Sequence, residues 1–118
     1  MFEGTHVLMY SEDAAADRAF VRDVLGYAHV DAHDGWLIFK LPPAELGVHP
    51  AAGAVRDELW LICGDIQATV EALHARGVEL SRAVADEGFG LTAALRLPSG
   101  RELLFYQPRH PLAYSLEG

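Results

Sequence analysis

Apolar residues recur along the chain at two spacings, one typical of strands and the other of helices. Residues 5–10 and 58–63 are short runs rich in apolar and aromatic side chains, each about the length of a β-strand. Each run is followed by apolar residues three to four positions apart, which predicts an amphipathic helix. Asp13 and Asp65 precede these helices at the N-cap position, where a carboxylate accepts backbone amides that lack a helical partner. A strand followed by a helix is therefore predicted twice.

Three further short strands are predicted after each helix, because turn-forming residues divide the remaining apolar runs. In the first half these strands are YAHVDA, WLIFKL and ELGVH, separated by HDG and PPA. In the second half they are VELS, LTAALRL and RELLFYQ. Residues 81–90, which follow the first of these, predict a long irregular loop. The element order is thus βαβββ twice, which is an α+β fold.

The two halves of the chain align with each other as an internal repeat. The strand containing His6 aligns with the strand containing Glu58, and the N-cap aspartates that follow them coincide. The endings LPPAELGVHP and LPSGRELLFYQP also align, with Glu45 opposite Glu102, when the second half carries the longer loop. A ferredoxin-like fold is the alternative, but it leaves one strand of each half unexplained.

Composition predicts one domain and argues against several classes of partner. At 118 residues and 51% hydrophobic, the chain is expected to form one domain over residues 1–118, with module 1 at about 1–52 and module 2 at about 55–112. No apolar run approaches the roughly 20 residues of a membrane span, and the N-terminus lacks a signal-peptide pattern, so a cytoplasmic location is expected. A net charge of −8 with scattered arginines argues against nucleic acid and membranes as partners.

Alternation along the predicted strands separates an apolar face from a mixed one. The apolar face, suited to packing against the helices, carries Val7, Met9, Leu46, Val48, Leu59, Leu61, Leu103 and Phe105. The opposite face combines ionisable and aromatic residues and carries His6, Leu8, Tyr10, Glu45, Gly47, His49, Glu58, Trp60, Ile62, Glu102, Leu104 and Tyr106. Large apolar side chains such as Trp60 are poorly suited to open water, so the mixed face is predicted to line a concave ligand pocket.

Three stretches of the chain resemble the vicinal oxygen chelate superfamily, which contains glyoxalase I, extradiol dioxygenases, fosfomycin-resistance proteins and bleomycin-resistance proteins. They are THVLMYSED leading into AFVRDVLGY, CGDIQATVEALHARGVEL, and LPSGRELLFYQPRHP. The resemblance implies two βαβββ modules that form a curved mixed sheet around a cup, usually in a homodimer. It leaves open whether the cup forms within one chain or across a swapped dimer. Metal-dependent members of the superfamily place one ligand on the first and last strand of each module.

The metal positions implied by this resemblance are only partly filled. His6 matches the first-strand histidine, whereas Glu58 stands where the second module usually has another histidine. The last-strand glutamate is replaced by Leu104, which cannot bind a metal, and the corresponding residue of the first module is Gly47. Nitrogen and oxygen donors that remain on the same face would suit Zn, Ni, Fe or Mn in a displaced site. These candidate ligands are His6, Glu58, His49 and Glu102.

The resemblance leaves two main functions open. The first is a protein of the bleomycin-resistance type whose cup binds a small aromatic or amphipathic molecule without the complete metal site, because Leu104 replaces the glutamate. The second is a divalent-metal-dependent lyase, isomerase or ring-cleaving dioxygenase that uses His6, Glu58 and a displaced ligand. Glu102 is its candidate proton-transfer residue. A dimeric module without a ligand of its own is a third possibility.

Candidate ligand contacts come from the mixed face and from the predicted loop. They are Tyr10, Trp60, Ile62, Leu104, Tyr106 and, on a loop that could close as a lid, Phe89. The remaining histidines and the tail residues Arg109 and His110 carry no recognisable motif, and no chemistry is assigned to them.

Overall fold

Helices and strands follow one another within residues 6–117, the part of the chain that the computed structural model describes. The first half contains helix α1 (Ala14–Phe20), which continues as a π-helical turn (Val21–Leu25), and the hairpin strands β1 (His29–Asp31) and β2 (Leu37–Phe39). The second half contains β3 (Trp60–Ile62), α2 (Ile66–Ala75), β4 (Leu80–Asp86), β5 (Gly90–Arg96) and β6 (Glu102–Pro108), followed by a 3₁₀ turn (Ala113–Ser115). The predicted α+β class is confirmed.

Both helices begin where the sequence predicts. The Asp13 carboxylate accepts the Ala16 amide at 3.2 Å, and the Asp65 carboxylate accepts the Ala68 amide at 3.1 Å. Each carboxylate satisfies one of the amide donors that a first helical turn leaves unpaired. Gly26, which ends the π-helical turn, adopts the left-handed conformation with φ 72°, which glycine reaches without a steric penalty.

The second half forms one four-stranded sheet in the order β3-β6-β5-β4. β3 and β6 are parallel, with Trp60 opposite Leu104 and Ile62 opposite Tyr106, because the chain crosses over through α2 between them. The other neighbours in this sheet are antiparallel. This is the βαβββ unit predicted from the sequence.

The core lies between α2 and one face of this sheet. Ile66 and Leu73 of α2 are buried in one cluster with Leu95 of β5 and with Leu103 and Phe105 of β6. Removing such side chains from water contributes roughly 25 cal/mol per Å² of apolar area. The prediction that the face bearing Leu103 and Phe105 packs against the helices is confirmed. The opposite face of the sheet is called the cup face below.

The prediction of a long irregular loop at residues 81–90 is wrong. Most of that segment is strand β4, which pairs antiparallel with β5 through Leu80 opposite Leu95 and Asp86 opposite Leu91. The hydrophobic pattern of an edge strand is weak because much of it faces water, so the neighbouring strand supplies its order. Only a tight turn remains, with φ 83° at Gly88.

The strands predicted at the two ends of the first module are not formed. Residue 5 lies outside the described residues, and residues 6–10 and 45–49 have no strand pairing. Three residues assigned to the apolar face are consequently in water, because Val7 is 50% exposed, Leu46 90% and Val48 91%. A β-strand requires a neighbouring strand to take its backbone hydrogen bonds, and residues 6–117 of a single chain supply none at these segments.

The whole chain therefore exposes more surface than a folded monomer of its mass. Its accessible area is 8893 Å², which is about 2,600 Å² more than the roughly 6,300 Å² expected at 12.9 kDa. The radius of gyration is 15.2 Å, against about 13.5 Å for a compact domain of this length. Within residues 6–117, no helix has the length and apolar character needed to cross a membrane. The cytoplasmic location stays a prediction.

A buried carboxylate joins the two halves. Asp17 of α1 is 6% exposed and accepts the Ser11 hydroxyl at 2.7 Å, the Ser99 hydroxyl at 2.8 Å and the Ser99 amide at 3.0 Å. A buried carboxylate is tolerated when hydrogen bonds replace its hydration. Asp17 therefore links the N-terminal segment and α1 to the turn between β5 and β6.

Replacing Asp17 should weaken this junction. We expect Asp17→Ala to lower the free energy of unfolding by about 1–3 kcal/mol, because the Ser99 amide and two hydroxyls lose their acceptor. Urea denaturation measures the change, with Glu71→Gln at an exposed position of α2 as the control. An equal effect of both substitutions would contradict the structural role of Asp17.

Candidate functional site

Three aromatic side chains meet on the cup face. Trp60 of β3, Tyr106 of β6 and Phe89 of the turn between β4 and β5 form what we call the aromatic cluster. The ring centroids lie 5.4 Å apart for Trp60 and Tyr106, 5.9 Å for Phe89 and Tyr106, and 6.5 Å for Trp60 and Phe89. All three contacts are edge-to-face, the arrangement that aromatic quadrupoles favour. Phe89 remains 54% exposed, so the cluster offers apolar surface to a ligand.

A polar group adjoins the Tyr106 end of the cluster. The Tyr106 hydroxyl lies 3.1 Å from His110 Nε2, and the Glu45 Oε1 atom lies 3.5 Å from the same nitrogen. The other Glu45 oxygen accepts the Ala113 amide at 2.8 Å, and the Glu45 side chain is only 16% exposed. Burial, and to a smaller extent the charge of Glu45, raises the pKa of Tyr106. Its phenol therefore stays protonated near neutral pH.

Arg109 holds the turn that carries Phe89. Its guanidinium donates to both oxygens of Asp86, at 2.7 and 2.8 Å, and to the Gly88 carbonyl at 2.8 Å. Its backbone amide donates to the Phe89 carbonyl at 3.0 Å. The guanidinium, together with the Gly88 amide, holds the pKa of Asp86 far below its usual range. Residues 81–90, which were predicted to form a lid, are thus a strand followed by a turn that Arg109 holds in place.

At this end of the sheet the backbones of β5 and β6 approach each other closely at Gly90. A β-carbon at Gly90 would lie 2.5 Å from the carbonyl oxygen of Gln107, so only glycine fits where β5 begins. The glycine places Phe89 directly beside the end of β6.

Glu102, predicted both as a metal ligand and as a proton-transfer residue, is engaged by a guanidinium. Arg82 donates from Nε at 3.0 Å and from its terminal nitrogen at 2.9 Å, and the Ser81 hydroxyl donates at 2.8 Å. These hydrogen bonds, that of Arg82 first, lower the pKa of Glu102. A carboxylate paired in this way stays ionised and is a weak base, and its lone pairs are occupied.

The other candidate metal ligands lie apart. Glu58 is 3.7 Å from the Arg56 guanidinium, and His49 Nδ1 contacts the Pro50 carbonyl at 2.9 Å. His6 and His49 are both exposed. In the part of the chain that the structure describes, no three histidine, cysteine or acidic side chains are grouped to hold a metal ion. The described donors of one chain therefore do not form a metal site, and a metal bound by these residues stays a prediction.

The remaining candidate ligand contacts divide between two places. Leu104 and Ile62 lie beside Trp60 and Tyr106 in the strand register, and both are partly buried. Tyr10 is 86% exposed and lies apart from the aromatic cluster, near the turn between β5 and β6, where its carbonyl accepts from Arg101. A cleft of about 260 Å³ lies at the Glu102 end of β6 and reaches Leu104. The aromatic cluster occupies the other end of the same strand.

Sequence reasoning missed Arg109 and His110. Both follow the last aligned strand, so the internal repeat assigns them no equivalent in the first half. Their partners Asp86 and Glu45 are distant in sequence, and only the folded chain brings them together. Glu45 was placed on the mixed face, but without a partner.

Comparison with solved structures shows a known fold. TnmS3, an antibiotic-binding protein from Streptomyces sp. CB03234, is 20% identical over 92% of this chain and 99% of its own, with a TM-score of 0.62. Lactoylglutathione lyase from Agrobacterium tumefaciens is 19% identical over 89% and 92%, with a TM-score of 0.62. A glyoxalase/bleomycin resistance protein/dioxygenase from Nocardioides is 18% identical over 96% and 92%, also with a TM-score of 0.62.

These likenesses establish the fold and no more, because all three identities are low. No protein-family model matches the chain, and no curated protein matches it in sequence. The chain has the glyoxalase/bleomycin-resistance/dioxygenase fold that its resemblance to the vicinal oxygen chelate superfamily implied.

Removing the guanidinium of Arg109 should loosen Phe89 within the aromatic cluster. In a Trp36→Phe background, which leaves Trp60 as the sole tryptophan, we expect Arg109→Gln to reduce the near-ultraviolet circular dichroism and shift the Trp60 emission. The matched control is Arg22→Gln, since Arg22 also grips a carboxylate with two hydrogen bonds of 2.7 Å, on Asp23. Identical spectra for the two variants would contradict the role of Arg109 in holding the turn that carries Phe89.

The near-ultraviolet circular dichroism of the aromatic cluster should persist in mild acid. Because the pKa of Asp86 is lowered in the folded chain, the stabilisation from this pair is present above the ordinary aspartate pKa of about 4. This stabilisation is lost only as the pH falls through the lowered pKa of Asp86. An acid titration of the circular dichroism signal, compared with Asp86→Asn, measures this. A midpoint at or above the ordinary aspartate pKa would contradict it.

Proposed function

We propose that the protein binds a small planar aromatic or amphipathic molecule on its cup face, as a binding protein of the bleomycin-resistance type. The aromatic cluster is the observation that carries this proposal. Exposed aromatic surface next to a few polar groups is the usual composition of a small-molecule site. The fold supports the proposal, and so does the antibiotic-binding activity named for TnmS3.

The proposal requires no metal. Leu104 occupies the strand position where metal-dependent relatives are expected to carry glutamate, and the Glu102 carboxylate is engaged by Arg82. Among the described residues of a single chain, no three candidate ligands are grouped as the enzymatic alternative requires. The metal-dependent lyase, isomerase or dioxygenase therefore has less support than the binding function.

Planar probes should bind through the aromatic cluster. We expect 9-aminoacridine, a planar cation, or anthraquinone-2-sulfonate, a planar anion, to bind and to quench Trp60. Trp60→Leu and Phe89→Ala should each weaken binding about 2- to 10-fold, because an aromatic contact contributes about 0.5–1.5 kcal/mol beyond its buried area. Calorimetry measures the affinity of the variants.

Trp36 provides the matched control for these substitutions. It is 57% exposed and packs with Arg18 at 4.5 Å, away from the cluster. Trp36→Leu should leave the affinity unchanged. Failure of both probes to bind, or equal weakening by Trp36→Leu and Trp60→Leu, would count against the proposed function.

We further propose that the functional protein is a homodimer. The chain exposes about 2,600 Å² beyond a compact monomer of its mass, against roughly 800 Å² that each partner buries in a standard interface. Leu46 and Val48 contribute to this surface from a segment that has no strand partner among the described residues. A second copy of the chain would supply both apolar contact and strand neighbours for residues 6–10 and 45–49.

Charges introduced on this surface should dissociate the dimer. We expect wild-type protein to sediment as a dimer and to melt at higher temperature as its concentration rises. Leu46→Asp and Val48→Asp should give monomers, because a buried unpaired carboxylate is costly. Val30→Asp, on the exposed hairpin strand β1, is the control. A monomeric wild type in analytical ultracentrifugation would refute the proposal.

A further inference from the structure

Three ionisable side chains converge at the Tyr106 end of the aromatic cluster. They come from separate parts of the chain: Tyr106 from β6, His110 from the tail and Glu45 from the first half. The central atom is His110 Nε2, which lies 3.1 Å from the Tyr106 hydroxyl and 3.5 Å from Glu45 Oε1. Proton transfer between side chains requires this kind of proximity.

Backbone contacts orient His110 and Glu45. His110 Nδ1 lies 2.8 Å from the Pro111 carbonyl, which can only accept a hydrogen bond, so Nδ1 carries the imidazole hydrogen. Nε2 is then left with its lone pair and accepts the Tyr106 hydroxyl. The Ala113 amide holds Glu45 through its second oxygen at 2.8 Å.

Glu45 lies where its carboxylate can balance a charge on Nε2. When Nε2 gains a proton, the imidazolium lies beside a carboxylate that is mostly shielded from water, where charge interactions are stronger than in bulk solvent. Arg109, which directly precedes His110 in the sequence, is bound to Asp86 and does not neutralise Glu45. The group thus has a donor, a base and a carboxylate that stabilises the charged base.

We infer that Tyr106, His110 and Glu45 form a metal-independent proton-transfer site for an aromatic ligand that carries an acidic C–H or O–H bond. The inference rests on the proposed function, since the aromatic cluster must hold the ligand. The Tyr106 oxygen takes the ligand proton while its own proton passes to His110 Nε2. The electron pair of the broken bond stays on the ligand, and the imidazolium is balanced by Glu45. The reverse transfer returns the proton.

The raised pKa of Tyr106 is consistent with these roles. A phenol is neutral near neutral pH and burial raises the pKa of Tyr106 further, so its oxygen can accept a proton only as it gives one up to His110. The rings of Trp60 and Phe89 both contact the Tyr106 ring edge-to-face. His110 is a base within reach, and its own orientation is set by the Pro111 carbonyl.

A planar carbon acid tests the site. In 5-nitrobenzisoxazole, loss of the ring C–H proton to a base forms a C≡N bond, breaks the N–O bond and releases a coloured phenolate. We expect a saturable rate above buffer that survives a metal chelator. Tyr106→Phe should lower kcat roughly 10-fold or more and leave KM nearly unchanged, because the ring is kept and only the hydroxyl is lost.

His110→Gln and Glu45→Gln should also lower kcat, and Trp60→Leu should mainly raise KM. The control is His33→Gln, since His33 belongs to the exposed hairpin turn. Circular dichroism checks that each variant is folded. If the tail is disturbed in His110→Gln, the result for Tyr106→Phe still decides.

Binding of 9-aminoacridine or anthraquinone-2-sulfonate separates the two possible failures. If neither probe binds, the proposed function fails. If a probe binds to wild type and to Tyr106→Phe alike but no elimination exceeds buffer, the proton-transfer site is refuted. An elimination rate that persists in Tyr106→Phe, or that His33→Gln reduces equally, would also refute it.

Discussion

Packing of α2 against β5 and β6 is the interaction on which the remaining structure depends. Ile66 and Leu73 cover the face of the sheet that bears Leu95, Leu103 and Phe105. Because neighbouring side chains of a strand point to opposite faces, burial of this set turns every alternate residue toward the cup. A shift of β6 by one residue would bury the aromatic residues and expose the core. The position of the candidate site therefore follows from the hydrophobic contact beneath it.

Two tail residues convert this exposed face into a defined site. Arg109 ties the turn that carries Phe89, and His110 joins Tyr106 to Glu45. The site thus combines apolar surface with an oriented base, although the metal position expected for related enzymes holds a leucine. Glu102, one of the candidate metal ligands, is paired with Arg82 instead. The proposed binding and proton transfer need no ion in such an arrangement.

In the first half of the chain, predicted strand segments remain exposed because the sheet is incomplete. Leu46 and Val48 have the pattern of a strand, yet they lie in water because no neighbouring strand takes their backbone hydrogen bonds. The large exposed surface has the same origin. The proposed homodimer would account for both observations.

The sequence alone determined the features that depend on local chemistry and periodicity. Asp13 and Asp65 cap the helices as predicted, and the alternation of β6 identified its buried and cup-facing residues, because both depend on neighbours close in the chain. Only the tertiary structure decided that residues 81–90 are mostly strand, since an edge strand is ordered by the backbone of its neighbour. The tertiary structure also brought His110 to Glu45. Contacts between residues so distant in sequence leave no periodic signal, and they arise only when the sheet and the tail are folded together.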